Sequence, residues 1–409
     1  MSNTLRKRRD KVAIDGRGDD VDDASRRRVL ALATGLGIAS AGALVMPGSV
    51  LNPNRADAIS DRSYDFFVSA YGAVGDNTTD DTAAIQDAID AAVNYASSHN
   101  GFARVVFDDR NYRIGGPMRS VSGVIGQLII PAITSGPQLS IELAGPGHMA
   151  SAQNVNSSPQ QGSGAVLRSD STATYSGSGP SPSILAVGQG VDFGRFSRVK
   201  VSIRNLGFRG NSNPSIAGLM LINAAQVDID CVRVDTTDSI SDIVQPTHPV
   251  ADAIVLPAVD NNAMMKMRQV CVTGWYCGVK FGENSNIDGL IVYMCMVGVS
   301  PQGNNYHLSH FKHVFVLHCP YSISASYSTI GVTEFAPGTF LYFKMDAWDI
   351  EDAPSGVGDW SVPIYHINDP NNTFKAHITY LRVISNVGTT TAPLLLNGAG
   401  NCHLTDLAA

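Results

Sequence analysis

Charge, aromatic rings and paired cysteines are all scarce in this sequence. Only 16% of its 409 residues are charged and 7% are aromatic, against 44% apolar. That balance excludes a disordered chain and a coiled coil, both of which need more charge and fewer apolar groups. The 6 cysteines (Cys231, Cys271, Cys277, Cys295, Cys319 and Cys402) form no Cys-x-x-Cys pair, and no histidine spacing completes a zinc pattern. Their apolar neighbours favour buried free thiols. A glycine-rich nucleotide loop, a His-Glu-x-x-His helix and a Gly-x-Ser-x-Gly elbow are all missing, so no cofactor and no metal is expected. The net charge of −7 argues against a nucleic-acid-binding surface.

Long apolar runs are scarce too, with one exception near the start. Ser25-Arg26-Arg27-Arg28-Val29-Leu30 opens a stretch free of acidic residues that extends to Met46 and is followed by Ala56-Asp57-Ala58. Two arginines, a weakly apolar run and a small-x-small site read as a twin-arginine export signal covering residues 1–58. The run is diluted by Gly35, Gly37, Ser40 and Gly42, which favours cleavage over a permanent membrane anchor. Removing residues 1–58 takes 10 of the 29 basic and 7 of the 36 acidic side chains, leaving 19 and 29 and a net charge of −10. The expected destination is the periplasm or the exterior, with the twin-arginine machinery as a transient partner.

What the sequence does have is glycine, 39 residues of it, and short apolar strands. The segment from Phe66 to Ile114 runs Gly72-Ala73-Val74-Gly75-Asp76, then Asp80-Asp81-Thr82-Ala83-Ala84-Ile85. Asp80 or Asp81 suits a helix cap, and Ala84, Ile85, Ala88, Ile89, Ala92 and Val93 give a helix over about 82–96 one apolar face. A strand over 104–107 follows. These residues resemble the N-terminal module of the pectate-lyase-like superfamily, Gly-Ala-x-Gly-Asp-x-x-x-Asp-Asp-Thr-x-Ala-Ile. One departure is Asp108-Asp109-Arg110-Asn111 where that superfamily has Pro-Pro-Gly. The resemblance implies a right-handed parallel β-helix whose N-terminal end is covered by this helix, with Asp76, Asp80 and Asp81 as turn and cap residues.

The remainder points the same way independently. An apolar-x-apolar-x-x-apolar-x-apolar pattern recurs at Val201-Ile203-Leu206-Phe208, Val227-Ile229-Val232-Val234 and Met265-Met267-Val270-Val272. It weakens around Ile287-Leu290-Val292, continues as Tyr306-Leu308-Phe311 with His313 in the last slot, and returns at Phe343-Met345-Trp348-Ile350, Ala376-Ile378-Leu381-Val383 and Cys402-Leu404-Leu407-Ala409. Unequal spacings between copies are those of solenoid turns carrying loops. Further strands fall at 218–221, 253–256, 278–281, 322–325 and 394–397, with asparagine-rich turns such as Asn261-Asn262. The fold class is therefore all-β: a single-stranded right-handed parallel β-helix with an N-terminal capping α-helix. Residues 59–120 form the opening strand and cap, and 121–409 the solenoid, with loops at 148–190, 235–252, 326–339 and 351–362. The final repeat stops at Ala409, so a homotrimer covering that end is expected.

Chemistry is assigned to carboxylates. The inserted loops carry Asp238, Asp242 and Glu334, and the strand ridge carries Glu283; these are the catalytic candidates. Trp360 and Tyr276 suit stacking on a sugar face, and Lys280, Asp359 and Gln302 complete the substrate-binding set. The three loops are expected to leave one corner of successive turns and wall a groove. Asp228, Asp230, Lys266, Arg268 and Asp288 instead read as an outward salt-bridge ladder. An exported enzyme cleaving glycosidic bonds in a neutral or weakly charged polysaccharide or oligosaccharide follows, with hydrolysis, elimination and fructosyl transfer all open. The competing reading is a glycan-binding or spike-like β-helix without catalysis, which predicts an exposed aromatic track and no close carboxylate pair.

Overall fold

The computed structural model describes residues 64–408, apart from 100, 122–123, 132, 134, 148–163, 175–180, 189–197, 211–212, 214, 238–250, 258–263, 283, 302–304, 320, 324–339, 352–372 and 385–399; for 301–308 and from 321 onwards the description is of backbone alone. The export segment expected over 1–58 lies outside the described residues. No helix among the described residues is long and apolar enough to cross a membrane.

The architecture is mostly β, in parallel sheets that curl. Eleven strands form one path in strict chain order: Asp65–Phe67, Phe102–Val106, Leu139–Ala144, Val199–Arg204, Gln226–Asp235, Met265–Thr273, Ser285–Tyr293, Asn305–Leu317, Phe340–Glu351, Thr373–Ile384 and Gly400–Ala408. Each pairs in parallel with the next. A second sheet joins Val124–Ile130, Ser183–Val187, Ala217–Met220, Ile254–Val255, Cys277–Phe281, Val297–Pro301 and Tyr321–Ile323, again in chain order and parallel. Between Val124 and Ile323 the chain thus visits both sheets on each pass and lays its strands beside the previous ones.

The repeat explains its own geometry. In strand Gln226–Asp235 the period-2 alternation breaks once, between Ile229 and Val232, and Cys231 there has φ +54°. The in-register residue is Gln269 (φ +50°) one pass later and Gly289 (φ +73°) two passes later. One pass earlier Asn205 (φ +53°) separates two distinct strands, Val199–Arg204 and Leu206–Arg209. The x-x of the sequence pattern is therefore a stacked left-handed bend that divides each pass into a first leg and a second leg. Left-handed backbone costs a residue with a Cβ roughly 1–2 kcal/mol; Gly289 meets it freely, Asn205 at reduced cost. A second bend, at Gly274 (φ +79°), Met294 (φ +52°) and His318 (φ +55°), ends the second leg.

Between the bends, alternate residues turn inward and stack. Ile203, Ile229, Met267, Ile287 and Phe311 form one column; Leu206, Val232, Val270, Leu290 and Val314 form the next, and all are buried in one continuous core. Burying each such side chain is worth about 1.5–3 kcal/mol. One repeat frame differs from the sequence reading. Phe311 pairs with Ile287, and Val314 with Leu290, so the inward set is Ser309-Phe311-Val314-Val316. A register shift between Tyr306 and Ser309 displaces the pattern there. The segment 148–190, expected to be an excursion, contains two core strands, Ala165–Ser169 and Ser183–Val187. Their short apolar runs are hidden in sequence by serine- and glycine-rich flanks.

Helix α1, Thr82–Ser98, buries Ile85, Ala88, Ile89, Ala92, Val93 and Ala96 against the first passes, and Gln86 exchanges hydrogen bonds with the Ile129 backbone. The aspartates before it organise turns. Asp81 accepts from Val74 N (2.6 Å) and Gly75 N (3.1 Å), Asp80 from Thr82 N, Thr82 Oγ1 and Gly115 N, and Asp76 from Thr78 N and Thr79 N. These backbone donors hold the Asp76 carboxyl far below its usual range.

Candidate functional site

Each pass presents two outer faces, one on either side of the bend, and they differ in chemistry. On the first leg the outward residues are charged and paired across passes. Arg204 reaches Asp228 (3.2 Å) and Asp230 (3.9 Å), Arg268 reaches Asp230 (2.5 Å), and Asp288 meets Lys312 (3.7 Å) and His313 (2.9 Å). This is the ladder expected from the alternating signs.

On the second leg the outward residues are Arg233 and Asp235, then Cys271 and Thr273, Ile291 and Tyr293, Phe315 and Leu317. The face thus turns from charged to apolar over one strand separation. Cys271 and Ile291 form a cluster separate from the main core, with Tyr293 and Leu317 packed on it. Phe315 is 36% exposed at the upper end of this strip. Tyr293 makes an edge-on contact with the His318 ring (5.1 Å between centroids, 82°). Burial pushes the Cys271 thiol up to about 12, which makes it an inert apolar filler at neutral pH.

The connections that flank this strip follow from register. Asp235, Thr273, Tyr293, Leu317 and Glu351 occupy one column of neighbouring strands. The connections that leave Asp235 and Glu351 therefore start from one corner, four strand separations or ~19 Å apart. The connection over 324–339 runs instead from second-sheet strand Tyr321–Ile323 to Phe340–Glu351, and so leaves from another corner. The loops themselves, with Glu334 among them, lie outside the described residues.

Two buried ion pairs stand at the feet of the lower connection. Arg233 Nε donates to Asp235 Oδ2 at 2.6 Å, with side chains 8% and 3% exposed. Lys280 Nζ lies 2.8 Å from Asp252 Oδ2, within ion-pair range but off hydrogen-bond geometry, at 7% and 0% exposure. Burial raises the Asp252 carboxyl while Lys280 pulls it back down, and the net direction is up. Among the described residues, Oδ1 of both aspartates and Oγ1 of Thr273 have no hydrogen-bond partner. Trp275, wholly buried, donates from Nε1 to Val234 O at 3.1 Å and braces the end of the second leg beside Arg233 and Asp235.

Of the residues singled out from sequence, Tyr276 and Lys280 are described. Tyr276 is 7% exposed and packs with Cys277, Val297 and Met296, and Lys280 is buried against Asp252. Asp238, Asp242, Glu283, Glu334, Trp360, Asp359 and Gln302 lie outside the described residues. The second-leg strip was missed from sequence, although its signal was present. Val270-Cys271-Val272, Leu290-Ile291-Val292-Tyr293 and Val314-Phe315-Val316-Leu317 are unbroken apolar runs, and a strand that does not alternate has apolar groups on both faces. Among the described residues no group of three or more histidine, cysteine, aspartate or glutamate side chains is placed to hold a metal ion.

No protein-family model matches the sequence, and no curated protein matches it. Solved structures do. The chain is similar to ORF18 of Geobacillus virus E2 at 13% identity and TM-score 0.32, covering 86% of this chain and 63% of that one, so it spans less than two thirds of that protein's length. It is similar to a mutant DFA-IIIase from Arthrobacter chlorophenolicus A6 in complex with DFA-III, at 12% identity, TM-score 0.40 and 85% coverage of each chain. It is also similar to the family 28 exopolygalacturonase of Yersinia enterocolitica, at 11% identity and TM-score 0.34, covering 85% of this chain and 78% of that one. With TM-scores this low the likeness carries over neither substrate nor reaction.

Proposed function

We propose that this chain is an exported, polysaccharide-active protein of the pectate-lyase-like kind. In this reading its passes coil as a single-stranded right-handed β-helix, and it binds glycan along the second-leg outer face. The observation that carries the reading is the apolar strip of Ile291, Tyr293, Phe315 and Leu317, bounded by connections that leave from Asp235 and Glu351. A sugar ring offers an apolar C–H face and a rim of hydroxyls; an aromatic or aliphatic floor takes the face, and flanking carboxylates take the rim.

In this reading Asp238 and Asp242 on the lower connection, with Glu283 on the ridge, supply the acids. Trp360 and Asp359 on the upper connection bind substrate from the other side, with Gln302 near the strand-to-turn corner; Tyr276 and Lys280, expected in this set, are instead buried, in an apolar cluster and an ion pair, and are left out of it. One carboxyl donates a proton to the leaving oxygen while a second acts as base or nucleophile. Acids on adjacent passes approach the ~5–5.5 Å of a retaining site, and acids two passes apart the ~6.5–9.5 Å of an inverting one. Glu334 completes the acids of this reading. Export rests on the Ser25-to-Met46 segment.

A second reading, glycan binding without chemistry, is favoured by one observation: Asp235 and Asp252, the described acids at the strip's lower end, are both held in ion pairs. The test is a panel of neutral and acidic polysaccharides incubated with residues 59–409, following reducing ends and the absorbance of unsaturated products. Product formation that falls at least a hundredfold in Asp242→Asn supports the enzyme. Binding without product across the panel overturns it in favour of the binding module, and no binding at all overturns both.

A further inference from the structure

The second bend brings two cysteines into register. Tyr293 pairs with Leu317 and Val297 with Tyr321, each 24 residues on, so Cys295 stands one pass before Cys319 at the matching position. The bend residues before them, Met294 and His318, share left-handed backbone, and Met294 N donates to Leu317 O at 3.0 Å. Matching positions on adjacent strands lie ~4.8 Å apart, within the Cα range of about 4.4–6.8 Å that a disulfide spans. The side chains converge as well. Both are buried in the main core, Cys295 shares a hydrogen bond with Cys319, and Cys319 Sγ reaches Val292 O of the earlier pass at 3.9 Å. Among the described residues no other cysteine has a cysteine one pass away. Cys231 is matched by Gln269, Cys271 by Ile291 and Cys277 by Val297.

We propose that Cys295 and Cys319 form a redox-dependent disulfide that staples two successive passes at the end of the second leg. The oxidant is a small-molecule disulfide. The thiolate of one cysteine attacks it, forming a mixed disulfide and releasing one small thiolate. The other cysteine gives its proton to water, attacks the protein sulfur of the mixed disulfide and releases the second. Two cysteine thiols lose two electrons, and the oxidant becomes two thiols. Both side chains are buried, so the oxidant meets them when the corner opens locally. The link lies two residues beyond Tyr293 and Leu317 and so fixes the corner beside the apolar strip, but it does not rest on the glycan reading.

The experiment incubates the full chain, without denaturant, in glutathione buffers from fully reducing to fully oxidising. The remaining thiols are then alkylated under denaturing conditions and the protein is digested without reduction. Mass spectrometry should find the Cys295 and Cys319 peptides joined as the main product. The oxidised protein should unfold at least about 3 °C higher than the reduced one, with reductant reversing the gain. Cys295→Ala and Cys319→Ala should each abolish the joined peptide and the oxidant-dependent rise. The wild type is compared with itself, so the result stands even where these variants fold poorly. The proposal falls if both cysteines are alkylated, or carry only separate glutathione adducts, after the most oxidising buffer. It falls equally if the joined peptide appears only once denaturant has unfolded the chain, or if another pair such as Cys271 and Cys277 links instead.

Discussion

From Gln226 to Leu317 the first and second legs of each pass belong to one strand, pair with the same following strand and bury the same kind of inward column. They diverge only on their outer faces. Before the bend, Asp228, Asp230, Arg268 and Asp288 trade partners along an exposed ladder. After it, Cys271, Ile291 and Phe315 stack as an apolar strip above a buried ion pair. Inward residues are dictated by the core and so look alike on both legs. Outward residues are free of that demand, and where they abandon polarity some other contact must be served.

The sharpest way to break this contrast is to delete one cation from each leg. Arg233→Met on the second leg strips Asp235 of its partner in a buried setting and should cost about 3–5 kcal/mol. Denaturant unfolding measures it. A loss below ~1 kcal/mol would show that Asp235 is solvated, and the second leg would then be no different from the first.

Next in size is the strip. Phe315→Ala and Tyr293→Ala should each weaken glycan binding at least tenfold, as loss of an aromatic anchor does at other interfaces. Phe315→Ala should leave stability nearly unchanged, because that side chain is already 36% exposed. Isothermal titration with whichever glycan the panel selects reads both. Equal loss of binding from a first-leg substitution such as Lys266→Ala would place the groove on the wrong leg.

How much of this was legible beforehand depends on which face a residue serves. The apolar-x-apolar-x-x-apolar-x-apolar pattern reports the core directly, and its x-x gap marked the bend at Asn205, Cys231, Gln269 and Gly289 without naming it. The frame was lost at 306–313, where a register shift moves the inward set to Ser309 and Phe311. The outward ladder was readable because charges alternating with core residues must face water, and opposite signs on successive passes pair there. The strip was not, since Ile291 and Phe315 look like further core when runs are scored for hydrophobicity alone. Connection lengths say nothing about which sheet a strand joins, so the place of Tyr321–Ile323, the strand before 324–339, in the second sheet was not legible.

The thiols sharpen the contrast at the bend itself. Cys231 stands at the bend, with its Sγ 2.9 Å from Gln269 Oε1, and burial raises its thiol; Cys271, on the second leg of the next pass, is pushed up to about 12. Alkylation at pH 8, mapped by mass spectrometry, should label Cys231 before Cys271. The pH sign follows from the same displacement. The Cys271 thiol ionises near its ordinary 9.0 in the unfolded chain and near about 12 in the fold. Its contribution to stability is therefore intact below 9.0 and lost as the pH climbs towards 12. Equal labelling rates would mean that the strip is open to water along its whole length.

The smallest effect belongs to the ladder. Arg268→Ala removes a 2.5 Å contact to Asp230, but the Arg268 side chain is 55% exposed and Arg204 remains beside the same carboxylate. Solvent screening and the entropy of two long side chains leave such pairs about 0.2–1 kcal/mol, and added salt should shrink the difference further. Chemical unfolding at low and high ionic strength checks this. Arg233→Met should respond little to salt, because a buried pair is poorly screened. If instead the two variants lose similar amounts and both losses fade in salt, position relative to the bend is irrelevant, and the second leg's outer face is an exposed surface with no more claim to a site than the first.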